Sequence, residues 1–175
     1  MRTSVNLDSK SLEMLRILAK KKGISASEIV RRALKVYFEL EGMDDATKEL
    51  VKIYTDFLSA GEHCIVDIEH WAAIWEELNH KASEDFWEVI KKSGIEHGIQ
   101  YADKGLKDVY SILRYMEAGN FFRIKVDGEG RYTLILSCPS EAKFLKVFLA
   151  GIFQGQGEEV EIRESYGKLR IQKPV

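Results

Sequence analysis

The sequence predicts an α+β protein with a small N-terminal domain, residues 1–42, and a larger C-terminal domain, residues 43–175. Three observations lead to this prediction. The N-terminal segment contains one short stretch of alternating polar and apolar residues, followed by two amphipathic helical patterns. The middle of the chain contains further helical patterns. Near its end, two turn signals each lie between alternating stretches, with one helical pattern between them, which indicates a β-β-α-β-β order.

The chain begins with the short alternating stretch, in which Val5 and Leu7 are the apolar residues. This pattern predicts a strand whose apolar side chains face a core and whose opposite side carries Arg2, Ser4 and Asn6. The 30 residues that follow contain no second strand pattern. Because a lone strand is unstable, we expect it to pair with the same strand of a second copy of the chain and to form a two-stranded ribbon.

Two helices are predicted directly after the strand. The first is capped by Asp8 or Ser9 and runs to about Lys22. The second begins with an S-x-x-E capping box at Ser25 and runs to about Glu41. Both helices carry an apolar stripe, but a segment of this size rarely forms a stable core alone. The stripes are therefore expected to pack against the second copy.

Basic residues are concentrated in the same segment. Residues 1–41 contain nine Lys or Arg and five Asp or Glu, a net charge of +4, whereas the remaining 134 residues carry a net charge of −6. This asymmetry indicates contact with nucleic acid through the N-terminal part. For the same reason the acidic C-terminal part is not expected to contact DNA itself, and we expect it to act by setting the spacing of two ribbons.

The segment RTSVNLDSKSLEMLRILAKKKGISASEIVRRALKVYFE resembles the ribbon-helix-helix (MetJ/Arc/CopG) DNA-binding superfamily. The resemblance lies in the short strand, the Leu-rich first helix, and the GISASEIVRRAL turn and second helix at the right spacing. It implies an intertwined dimer whose outward strand side chains, Arg2, Ser4 and Asn6, contact bases in the major groove. Side-chain chemistry agrees, because Arg suits guanine, Asn suits adenine and Ser can bind either base.

The resemblance also implies that the start of the second helix, at Ser25, Ala26 and Ser27, holds a DNA backbone phosphate. Free amide groups and the helix dipole attract anions at such a position. Considered one set at a time, the strand residues are more simply an exposed strand edge and Ser25 is more simply a helix cap. The whole arrangement favours DNA binding.

The middle of the chain is predicted to be mostly helical. Apolar stripes predict helices over residues 45–60, 69–78, 83–102 and 106–118. The β-branched residues of EHCIVDI predict one strand, over residues 62–68.

The C-terminal segment is predicted to form two hairpins with a helix between them. The first hairpin turns at residues 127–128, the helix starts near Pro139, and the second hairpin turns at residues 166–167. This order, together with the GIEHG helix before it, resembles the 4-vinyl-reductase type of small-molecule sensor domain. The resemblance implies an effector site. The cysteines that this family often carries near its last hairpin are absent from EIRESYGKLRI.

Aromatic residues of the helical block form a candidate ligand pocket. The residues that we assign to it are Trp71, Trp75, His97 and Tyr101. Gly94 and Gly98 could leave room for a ligand or could allow close helix packing. For most of these aromatic residues, filling the core is the simpler explanation.

Metal and catalytic sites are not expected. His63, Cys64, Asp67 and His70 are close in sequence, but no H-x-x-x-H, C-x-x-C or H-E-x-x-H spacing is present. Nucleophile and phosphate-loop motifs are also absent, so neither catalytic residues nor a cofactor are predicted and the protein is not expected to be an enzyme.

These observations together predict a sequence-specific transcriptional regulator, in the first place a repressor, that is controlled by a C-terminal effector-binding or oligomerisation domain. The alternative is an antitoxin-like interaction module that regulates its own operon. The expected partners are double-stranded DNA, a second copy of the chain with a dimer of dimers as a further option, and a small-molecule effector. A cytoplasmic location, no membrane contact and two free buried thiols, Cys64 and Cys138, are also expected.

Overall fold

The computed structural model describes residues 4–59, 61 and 63–174. The chain divides into two compact units, Met1–Glu49 and Leu50–Val175, and each is described by itself. Together the described residues contain helices and one antiparallel sheet, as expected for an α+β protein.

The first unit contains helices α1 (Ser9–Lys22) and α2 (Ala26–Glu39) and the start of α3 (Asp45–Ser59). The predicted cap of α1 is confirmed, because the Ser11 amide donates to the Asp8 carboxylate over 2.7 Å. The predicted cap of α2 is also confirmed, because the Glu28 amide donates to Ser25 Oγ over 3.2 Å. These local bonds satisfy amide groups that have no partner inside the helix.

Residues 4–8 have no regular secondary structure in the single chain. A strand forms only when it hydrogen-bonds to a second strand. The predicted ribbon pairs two copies of the chain, and the structure describes one copy, so the ribbon stays a prediction. Arg2, the first of the predicted base-contacting residues, lies outside the described residues.

The helices of the second unit are the remainder of α3, α4 (Ile68–Lys81), α5 (Glu84–Asp103), α6 (Val109–Glu117) and α7 (Ala142–Gly155), which follows a short 3-10 turn, Pro139–Glu141. Helices α5 and α7 form the most intimate contact between helices, because four glycines lie where the two backbones meet. These glycines are Gly94, Gly98, Gly151 and Gly155. The structure therefore uses Gly94 and Gly98 for close helix packing.

The sheet contains strands β1 (Phe122–Gly128), β2 (Arg131–Leu136), β3 (Glu161–Ser165) and β4 (Lys168–Gln172). Its strand order is β1-β2-β4-β3, and all neighbouring strands are antiparallel. One face of the sheet supplies buried side chains to the core, for example Phe122, Leu134 and Leu169, each fully buried. This core also contains the apolar faces of α6 and α7.

The predicted strand over residues 62–68 is wrong. Residues 63–67 have no regular structure, and Asp67 instead caps α4 by accepting a hydrogen bond of 2.9 Å from the Glu69 amide. Ile65 is 75% exposed. β-Branched residues favour a strand only when a neighbouring strand and a core are available to them, and none of the described strands pairs with this segment.

Two smaller predictions also need correction. The first hairpin turns at Glu129–Gly130 and not at residues 127–128, because an irregular register after Val126 carries β1 through Gly128 and Gly130 takes the left-handed conformation, with φ +64°. Cys64 is exposed, not buried, since no strand brings it into a core, whereas Cys138 is buried and both thiols are free.

Candidate nucleic-acid interface

The start of α2 presents unpaired amide groups at the surface. Ser25, Ala26 and Ser27, the predicted phosphate-binding residues, are all exposed. The Glu28 amide donates to both Oγ and the carbonyl oxygen of Ser25, whereas the amides of Ala26 and Ser27, at the first two helical positions, have no acceptor within the helix. An anion placed here would receive these N–H groups and the positive end of the helix dipole.

Two arginines lie one turn further along α2. Arg31 and Arg32 both bind the carboxylate of Glu28, at 2.6 and 2.8 Å, while their side chains remain 68% and 63% exposed. Hydrogen bonds from Arg32 and Arg31 lower the pKa of Glu28. Because Glu28 holds the arginines, its side chain does not close the capping box that the sequence predicted, and only the Ser25 half of that motif is confirmed.

The predicted base-contacting residues Ser4 and Asn6 are exposed. Val5 and Leu7, which were expected to face a core, are exposed as well, to 65% and 43%. In the single chain, therefore, much of the apolar side of this segment stays exposed. Its apolar side chains are available for a partner.

Helix α2 also carries uncovered apolar surface. Leu34, Tyr37 and Phe38 are exposed to 62%, 68% and 74%. Beside them lies an open groove of about 410 Å³ with an almost wholly apolar lining; it is formed by Arg32, Ala33, Val36, Tyr37, Leu40 and Lys48. No described residue of the first unit is buried. Apolar surface of this extent marks a contact with another molecule.

The residues of the predicted ligand pocket lie in the second unit as two aromatic pairs. Trp71 and Trp75 have ring centroids 5.2 Å apart, and those of His97 and Tyr101 are 5.9 Å apart. The rings of Phe144 and Phe148, themselves 5.5 Å apart, connect the two pairs. Trp75 and Tyr101 are buried, whereas Trp71 and His97 are half-buried, and the effector pocket stays a prediction.

Glu141, which was not among the predicted site residues, is a fully buried carboxyl group beside Trp71. The indole Nε1 of Trp71 donates to Glu141 Oε2 over 2.6 Å, and the Cys138 amide donates to Oε1 over 3.3 Å. Burial raises the pKa of Glu141 to about 7, against the smaller opposing effect of these two hydrogen bonds. An acidic residue near a helix start usually caps the helix or is solvated, so the sequence contained no signal that the Glu141 side chain would be buried.

No group of three or more His, Cys, Asp or Glu side chains among residues 4–59, 61 and 63–174 could hold a metal ion. Within the same residues, no helix is both long and apolar enough to cross a membrane.

Comparison with known proteins finds a similarity in the N-terminal segment. Residues 1–41 match the family model described as "Ribbon-helix-helix protein, copG family". Members of this family are typically DNA-binding transcription regulators and usually dimerise. Searches of the curated proteins and of the solved structures returned no match. The resemblance of the C-terminal part to 4-vinyl-reductase-type domains therefore has no support from these comparisons.

Proposed function

We propose that this protein is a sequence-specific transcription regulator that binds DNA as a homodimer through residues 1–42. The observation that carries this proposal is the family match over residues 1–41. The caps of α1 and α2, which lie where the family pattern needs helix starts, give further support.

Dimerisation is supported by the apolar surface of the first unit. Its described residues include no buried side chain, and the large apolar side chains of Leu34 and Phe38 are more than 60% exposed. Burying one such side chain contributes about 1.5–3 kcal/mol. A second copy, brought together by pairing of residues 2–7, would cover these side chains and supply the core that one copy lacks.

Base recognition in this proposal belongs to Arg2, Ser4 and Asn6. In a ribbon whose Val5 and Leu7 face the shared core, these three alternate residues face outward. A two-stranded ribbon is narrow enough to enter the major groove, where each base pair presents a distinct pattern of hydrogen-bond donors and acceptors. Phosphate anchoring belongs to the exposed start of α2 at Ser25, Ala26 and Ser27.

Regulation belongs to the second unit in this proposal. Its packed core and folded sheet are those of an independent globular module, which suits an effector-binding or oligomerisation role. Binding of an effector would change DNA affinity only by its differential affinity for two arrangements of the dimer. Repression is the simplest outcome of such operator binding.

The test begins with selection of duplexes from a random pool by the full chain, followed by titration of the selected and the random duplexes. We expect Asn6→Ala to lose about 1–3 kcal/mol on the selected duplex and to relax its specificity. Ser27→Glu should weaken all duplexes alike, because the new carboxylate repels phosphate.

Ser93→Glu is the matched control, since it adds the same charge at an exposed helical serine of the second unit. If the full chain selects no sequence, the proposal is wrong. If Asn6→Ala and Ser27→Glu change selected and random duplexes equally, the separate roles for ribbon and helix start are wrong.

A further inference from the structure

The outer face of the four-stranded sheet is unusually basic. Side chains alternate along each strand, and the buried residues Phe122, Leu134 and Ile171 define the inner face. The outward positions therefore include six basic residues, all exposed: Arg123, Lys125, Arg131, Arg163, Lys168 and Arg170. Only two acids, Asp127 and Glu161, lie among the outward positions of the four strands.

This face contrasts with the rest of the second unit. Residues 50–175 contain 16 Lys or Arg and 20 Asp or Glu, a net charge of −4. The outer sheet face, with six basic and two acidic residues, carries +4, which leaves −8 for the remainder of the unit. Net charge averaged over the unit hides this separation, and the expectation that an acidic C-terminal part avoids DNA rested on that average.

Strand pairing arranges the cations in rows across the sheet. One row contains Lys125, Thr133, Arg170 and Arg163, since Lys125 pairs with Thr133, Thr133 with Arg170, and Arg170 with Arg163. The neighbouring row places Arg123 and Lys168 on either side of Ile135. With neighbouring strands about 4.8 Å apart, the first row extends across about 14 Å, and Arg123 and Lys168 of the second row lie about 10 Å apart.

Most of this charge is uncompensated within the protein. Lys125 binds Asp127 at 2.9 Å and Arg163 binds Glu161 at 2.6 Å. The other four cations form no ion pair within the part of the chain that the structure describes; these are Arg123, Arg131, Lys168 and Arg170. Directly opposed like charges, such as Arg163 and Arg170, destabilise a sheet. An anionic partner would remove that cost.

We propose that this sheet face binds the phosphate backbone of duplex DNA, as a second and sequence-independent contact of the chain. The proposal rests on the proposed function, because DNA bound by the ribbon would meet a sheet tethered in the same chain at a raised effective concentration. The contact should not depend on the base sequence of the DNA, because the sheet is too wide to reach the base edges in the groove. Four strands with their side chains are wider than the major groove, which is about 12 Å wide and admits two strands. Phosphates, unlike base edges, are accessible to a flat cationic surface.

Double-stranded DNA fits this face better than single strands do. Single-strand binding uses aromatic side chains on which bases stack, and the outward positions of the four strands include no aromatic residue. In the two rows of side chains described above, the large apolar residue is Ile135, which is 45% exposed. The surface is therefore suited to charge pairing with a regularly charged polymer.

The test uses the full chain with the double substitution Lys168→Glu and Arg170→Glu, at two cations of the central strand β4 that form no ion pair among the described residues. Binding to a random-sequence duplex is titrated over a series of salt concentrations. Each phosphate contact contributes about −0.9 to the slope of log K against log[salt], so losing two should reduce the slope by about two and the affinity by about tenfold at moderate salt. The charge-conserving variant Lys168→Arg, Arg170→Lys should bind as the wild type does.

Lys92→Glu with Lys146→Glu is the matched control, because it changes net charge equally at exposed positions of α5 and α7. The proposal is overturned if the sheet variant and this control bind DNA alike. It is also overturned if the sheet variant still binds DNA as the wild type does and loses binding only to vesicles of anionic lipid. Circular dichroism melting of each variant establishes that the fold is retained.

Failure of this proposal can be separated from failure of the proposed function. Selective binding of the selected duplex, with the sheet variant equal to its control, supports the function and overturns the second contact. Loss of random-duplex binding in the sheet variant, without any sequence selection by the chain, supports the second contact and overturns the function. A full chain that binds no duplex at all overturns both.

Discussion

At the scale of single residues, Glu141 is the group whose environment departs furthest from that of an ordinary surface acid. Its carboxyl group is fully buried, and its two described donors are the Trp71 indole and the Cys138 amide. Desolvation raises its pKa to about 7. In the folded chain the group is therefore protonated well above the pH at which it ionises in the unfolded chain.

This shift predicts how stability depends on pH. Between pH 4.5 and 7 the unfolded chain ionises Glu141 while the folded chain retains the proton, so the free energy of unfolding falls as the pH rises through this window. The full loss amounts to roughly 3–4 kcal/mol, at about 1.4 kcal/mol for each pKa unit. Urea unfolding at several pH values measures it.

The comparison is made against Glu141→Gln, which cannot ionise and should lack this part of the decline. A glutamine has one acceptor oxygen for two donors, so the variant should also be less stable at low pH. Glu96→Gln, at an exposed position of α5, should follow the wild type. A Glu141→Gln variant with the same decline as the wild type would contradict burial as the cause.

At the scale of elements, α5 and α7 pack closely because the glycines at their contact place no side chains between the two backbones. A Cβ on Gly94 would lie less than 3.0 Å from the Phe148 carbonyl oxygen, and one on Gly151 would lie equally close to that of Lys91. Both obstacles are backbone atoms, which cannot move aside as a flexible side chain does. The two helices must separate to accept even one methyl group.

Gly151→Ala is therefore expected to destabilise the protein, although alanine favours a helix over glycine by about 1 kcal/mol. Overpacking of a tight contact costs about 1–3 kcal/mol, and the backbone contact places this site at the upper end. The midpoint of denaturant unfolding should fall. Glu96→Ala, on the exposed surface of α5, should leave it nearly unchanged. A Gly151→Ala variant as stable as the wild type would show that the helices can separate at little cost.

At the scale of the whole molecule, the two units differ in how they are stabilised. The second unit has a continuous core that includes Leu113, Phe122 and Ile152, each fully buried. The first unit has no described buried residue and keeps its large apolar side chains in solvent. A segment of this size needs a partner to bury enough apolar surface.

The 175-residue chain should accordingly be a dimer at micromolar concentration and dissociate on dilution. Leu34→Glu with Phe38→Glu should give monomers over the same range, because each lost burial removes about 1.5–3 kcal/mol per copy. Sedimentation equilibrium measures the association. Tyr166→Glu is the control, since Tyr166 is 95% exposed in the β3–β4 turn. Persistence of the dimer in the Leu34 and Phe38 variant would place the interface elsewhere.

The sequence by itself determined the elements that depend on near neighbours. Asp8 and Ser25 cap their helices through groups three residues away, and the β3–β4 turn depends on Gly167. The strand predicted over residues 62–68 failed for the opposite reason, because a strand depends on a distant partner. Local propensity could describe the segment but could not supply that partner.

Only the tertiary structure decided which distant residues meet. Glu141 is buried because Trp71, 70 positions earlier, lies against it. Arg163 and Arg170 share one basic face with Lys125 because β4 inserts between β2 and β3. Burial and the sign of a surface depend on which segments become neighbours in space, and that arrangement follows from packing of the whole chain and not from any short stretch of it.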